Sequence, residues 1–82
     1  MYLLAWTSGH SPPRTMYFRG PHDGYLWGST EDPVLAERFK SPAAAMKRWR
    51  SHHAWPDDPI YQQAIRSGLI RVERVDQGGL RL

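Results

Sequence analysis

Thr15-Met16-Tyr17-Phe18-Arg19-Gly20-Pro21-His22-Asp23-Gly24-Tyr25-Leu26-Trp27-Gly28-Ser29 decides how this chain folds, because it reads as a hairpin. The two arms, Thr15–Gly20 and Tyr25–Ser29, read as strands. Between them, Pro21 presets φ early in the turn and Gly24 tolerates the positive φ that closes it. Upstream, Tyr2-Leu3-Leu4-Ala5-Trp6-Thr7 is a further strand. A loop with Gly9, Pro12 and Pro13 separates it from the hairpin. Downstream the grammar changes. Asp32-Pro33, Ser41-Pro42 and Asp58-Pro59 each place a capping side chain before a proline at the first helical position. Helices are expected over Pro33–Phe39, Pro42–His53 and Pro59–Ser67, the last stopped by Gly68. Leu69–Val75 follows as a strand with Ile70 and Val72 on one face, then a turn at Gly78-Gly79 and a short tail, Leu80–Leu82. The order β-β-β-α-α-α-β predicts an α+β fold. It is a three- to four-stranded antiparallel sheet with two or three short helices on one face, the last strand beside the first.

Length and composition narrow the function. The 82 residues suffice for one domain, 1–82. Cysteine is absent, which excludes a disulfide scaffold, a thiolate metal site and a cysteine nucleophile. Four Trp, four Tyr and two Phe within a 40% hydrophobic chain supply material for a core. No run of 18 apolar residues occurs, and Met1–Ser11 lacks a basic leader, so a cytosolic protein without membrane contact is expected.

The net charge is +3, unevenly spread. Glu31, Asp32 and Glu37 make residues 31–37 acidic, whereas Arg38, Lys40, Lys47, Arg48 and Arg50 make residues 38–55 basic. At 100° per residue the second helix places Met46, Trp49 and His53 on one side, with Ala45 beside them. Lys47 and Arg48 fall on the other side and Arg50 flanks the apolar stripe. These three cations are candidates for contact with phosphates or an acidic protein surface; the plainer reading is a solvated helix face. Sequence-specific DNA reading is not expected, because the helix opens with Ala43-Ala44-Ala45 and not with Asn or Gln.

The hairpin's faces depend on its register. A three-residue loop, His22-Asp23-Gly24, puts Tyr17, Arg19, Tyr25 and Trp27 on one face, away from the helices. A loop of two or four residues instead groups Met16, Phe18, Tyr25 and Trp27 against Tyr17, Arg19 and Leu26. Asp23-Gly24 favours the three-residue form, a type I turn closed by a left-handed Gly. Three aromatics and an Arg on one face suit base stacking or a protein interface. The plainer reading is ordinary surface exposure of apolar residues.

Chemistry-bearing residues do not assemble into a site. His52 and His53 are adjacent and point about 100° apart on a helix, so they cannot chelate one metal together. His53 and Asp57 are separated by Pro56, His10 lies in a Pro/Gly loop, and His22 sits in the hairpin turn. No HExxH, Walker loop, GxGxxG or zinc spacing occurs. The expectation is a non-enzyme with no metal and no cofactor.

Tyr17-Phe18-Arg19-Gly20, Tyr25-Leu26-Trp27 and Asp32-Pro33-Val34-Leu35-Ala36-Glu37-Arg38-Phe39-Lys40-Ser41-Pro42-Ala43-Ala44-Ala45 resemble small phage and prophage proteins. In those, a hairpin is followed by a "W…DP..A..F.S…A" segment and a helix. The resemblance spans roughly residues 16–50 and is mostly a folding grammar, with Ala36 and Phe39 packing a short helix under the hairpin. It implies a mobile-element origin, a bacterial host cytoplasm and a helix-on-sheet fold, and transfers no catalytic residue. Such proteins are often inhibitors of host machinery, as anti-CRISPR proteins are. Many of those are acidic DNA mimics, and this basic chain departs from that pattern.

Three functional readings follow. The first is an inhibitor or adaptor that docks on a host protein or ribonucleoprotein complex through Tyr17, Arg19, Tyr25 and Trp27, with Lys47, Arg48 and Arg50 as rim. The second is a nucleic-acid-binding accessory protein using the basic helix. The third is a structural phage domain without a discrete site. An exposed aromatic face also suits a homodimer seam.

Overall fold

β1, Tyr2–Thr7, is central because its side chains are apolar on both faces: Leu3, Leu4 and Ala5 are fully buried. A strand apolar on both faces fits the middle of a sheet, between two neighbouring strands. In the computed structural model, which describes residues 1–9, 11–51 and 57–76, these are β2, Thr15–Arg19, and β4, Ile70–Arg74. β3, Gly28–Thr30, adds the far edge, and the antiparallel sheet runs β3-β2-β1-β4. The helices are α1, Pro42–Ser51, and α2, Pro59–Ser67.

Strand alternation sorts the core into two clusters. Leu4 and Phe18 face the helices and pack with Phe39, Ala45 and Trp49; Trp6, Tyr61, Ile65, Ile70 and Val72 join them half-buried. On the other face Leu3, Ala5 and Tyr17 pack with Ala36 and Val75. Arg71 braces that second face. Its guanidinium donates to Glu73, the Thr7 and Thr15 hydroxyls and the Gly68 carbonyl.

Both helices start where their caps predict. The Ala44 amide donates to Ser41 Oγ at 3.1 Å, and the Ile60 amide to Asp58 Oδ1 at 2.9 Å. Gly68, at φ 83°, ends α2 as a left-handed cap. The expected continuation of α1 to His53, the Gly78-Gly79 turn and the Leu80–Leu82 tail lie outside the described residues, as does His10.

The helix expected over Pro33–Phe39 does not form, so the order is β-β-β-α-α-β. Its cap works: Asp32 Oδ1 accepts from the Val34 amide, and one turn closes through Leu35 N–H to Asp32 O. The backbone is then claimed elsewhere. Glu37 N–H donates to the Phe18 carbonyl, and Phe39 exchanges two hydrogen bonds with Tyr2. Pairing with the sheet brings Ala36 to one core cluster and Phe39 to the other, which a continued helix would not do. The second hairpin arm also differs. The strand is Gly28–Thr30, not Tyr25–Ser29, because Pro21 lacks the N–H a ladder needs opposite Leu26.

Candidate functional site

The hairpin register decides which aromatics meet. Tyr17 pairs with Thr30 and Arg19 with Gly28 in the β2–β3 ladder; beyond a break, His22 and Tyr25 exchange two hydrogen bonds as an isolated bridge with the same offset. The loop is therefore the two residues Asp23 and Gly24, both at positive φ (46° and 84°). That is the turn whose twist matches the strands it joins, and Asp tolerates the left-handed region that the three-residue form leaves to Gly alone. His22 fixes the tip. Its Nδ1 lies 2.8 Å from the Gly20 carbonyl, and its ring packs against Tyr25 and over Gly28.

The expected shared face of Tyr17, Arg19, Tyr25 and Trp27 is thus corrected. Tyr17 is buried beneath the opposite face of the sheet, and Arg19 is half-buried on that side. Trp27 lies on the helix side as the diagonal cross-strand neighbour of Phe18, stacked on its ring at 5.8 Å and 2°. Tyr25 and Leu26 stand exposed at the tip.

Trp27 forms one wall of a cleft of about 350 Å³ between the sheet and the helices. Trp6, Phe18 and Ile70 form its floor, Trp49 of α1 one end, and Tyr61 and Ile60 of α2 the other wall. Trp49 and Tyr61 meet edge to face at 5.6 Å. Among the described residues, none that lines the cleft is charged. The mouth is strongly apolar: Trp27, Ile60 and Leu69 are 44%, 74% and 49% exposed. The helical stripe reads Trp49 as core, and no local pattern in the sequence marks Trp6, Ile60, Tyr61 or Leu69. Asp23-Gly24 read as a two-residue turn is the signal that puts Phe18 and Trp27 together.

The candidate cations of α1 are engaged unequally. Arg48 sits over the Phe18 ring at 5.6 Å and pairs with Glu37 at 3.3 Å. Arg50 pairs with Asp57 at 3.0 Å. Among the described residues Lys47 has no ion-pair partner and is exposed. Lys47, Arg48, Phe39, Ala44 and Ser51 line a shallower groove, which meets the aromatic cleft where Arg48 covers Phe18. Among the described residues no cluster of three His, Asp or Glu side chains is placed to hold a metal, and no helix is long and apolar enough to cross a membrane.

The chain matches no protein-family model, no curated protein and no solved structure.

Proposed function

We propose that this chain is a small, non-enzymatic protein-binding module whose recognition surface is the aromatic cleft and the hairpin tip beside it. One observation carries the reading: apolar aromatic side chains line a concave site and continue, exposed, onto its rim. Interfaces draw most of their binding energy from buried aromatic anchors of this kind. Continuous exposed apolar surface costs solubility unless a partner covers it. The narrower form of the proposal is an anti-CRISPR-like inhibitor of a host defence or nucleic-acid-handling complex, acting in a bacterial cytoplasm. Its support is the phage-like stretch over roughly residues 16–50.

The competing reading gives the basic helix to nucleic acid. Two of its three cations are already ion-paired within the chain, which weighs against it. A phosphate-tracking surface needs cations free to displace counterions.

The test has two arms. Expression in a bacterium with an active CRISPR system should restore plating of a targeted phage, and Trp27→Ala should abolish the effect. Binding to generic DNA and RNA, followed across a salt series, should be weak at every salt. Unchanged plating together with tight, steeply salt-dependent nucleic-acid binding lost on Lys47→Ala is the result that overturns the proposal.

A further inference from the structure

The cleft's occupant can be described further, resting on the protein-binding reading above. Its volume alone would suit a small molecule. The rim argues for something larger, since a ligand confined to the cleft leaves Ile60, Leu69 and the outer face of Trp27 wet. A chain segment laid across the mouth covers them. The uncharged lining sets the chemistry of the inserted group. A charged side chain entering there loses its hydration and finds no counter-charge, so an aromatic or branched aliphatic anchor is the group that fits.

Beyond the cleft the surface becomes cationic on one side. Where Arg48 covers Phe18, the adjoining groove presents the exposed Lys47 and the half-buried Arg48. Glu37 offsets Arg48, so Lys47 supplies the unbalanced charge. A carboxylate following the anchor reaches an ammonium with no ion-pair partner among the described residues; a cation there meets like charge, which is penalised at an interface.

We propose that the cleft and its adjoining groove receive an acidic amphipathic segment of a partner protein, its apolar anchor between Trp27 and Tyr61 and its carboxylates toward Lys47. The proposal is tested with fluorescein-labelled synthetic peptides, each with one Trp and one Leu, flanked either by Asp and Glu or by Lys. Fluorescence anisotropy should show the acidic peptide binding about tenfold more tightly at low salt, a gap that closes as salt screens the charges. Lys47→Glu should reverse the preference. Trp27→Ala should remove binding of both peptides. Ile60→Asp should weaken both peptides by removing apolar contact at the rim, and the acidic one more, because it also adds a like charge. Trp27 and Ile60 are exposed enough that both variants should keep the wild-type circular dichroism, which separates lost binding from lost folding.

Equal affinity for the two peptides overturns the charge assignment. Binding unaffected by Trp27→Ala overturns the cleft assignment. Indole binding while both peptides stay silent makes the cleft a small-molecule site and overturns the proposal. If phage plating is restored while neither peptide binds, the protein-binding reading stands and only the acidic-segment inference falls.

Discussion

The two helices begin by the same device and end up packed to opposite extents. Each opens with a capping side chain followed by proline. α1 buries Ala45 and Trp49 against the sheet, whereas α2 buries no residue and leaves Ile60 74% exposed. The difference lies in what each helix presents. α1 sets a small residue and a large one four positions apart, so Ala45 lets the backbone approach while Trp49 fills the space beyond. α2 presents Tyr61 and Ile65, which pack half-buried against the helix-side core, and Ala64, which lines the cleft. Capping decides where a helix starts, and side-chain size on the inward face decides whether it seals. The unsealed side of α2 is the cleft.

The sharpest way to break this contrast is to truncate the residue that seals α1. Trp49→Ala should cost about 3–5 kcal/mol in urea denaturation, as large-to-small changes in a core do. A loss below about 1 kcal/mol would mean that α1 is no better docked than α2. The hairpin comes next. A Cβ on Gly28 would lie 2.6 Å from the His22 ring. Gly28→Ala should therefore cost about 1–3 kcal/mol, and His22→Ala in the same chain should recover part of that loss. Independent, additive effects would remove His22 from the account of the turn.

The caps test whether the shared device acts alike in both places. Ser41→Ala and Asp58→Ala should each cost about 1 kcal/mol by the same denaturation measurement. A cost at Asp58 near zero would show that α2 is too loosely attached for its cap to register in global stability. The smallest effect is expected at Ile60. Ile60→Ala should change stability by less than about 0.5 kcal/mol. A larger loss would place Ile60 in the core and close the cleft on that side.

How much of this could be read in the sequence follows from how local each signal is. β1 is legible because a stretch rich in strand formers stops at Ser8-Gly9, and α2 because Asp58-Pro59 and Gly68 bracket it. The aborted helix at Pro33 was not legible. Its cap is genuine, but the sheet's claim on Glu37 and Phe39 comes from Phe18 and Tyr2, far away in sequence. The binding surface was half legible. Trp27 and Tyr25 are legible as candidates, but Tyr17 and Arg19 fall on the opposite face because Asp23-Gly24 closes a two-residue turn and not a three-residue one. That one-residue difference inverts every facing. Lys47, Arg48 and Arg50 look alike as a basic run, and only the fold pairs Arg48 with Glu37 and Arg50 with Asp57.

The most direct test of the central claim, that the helix-side cleft is the binding surface, is an NMR titration of isotope-labelled protein with the acidic peptide. The shifts should move at Trp6, Phe18, Trp27, Trp49, Tyr61 and Ile70, while Leu3, Ala5 and Tyr17 beneath the other face of the sheet stay still. Shifts confined to Leu3, Ala5, Tyr17 and Arg71 would place recognition on the wrong side of the sheet and contradict the account.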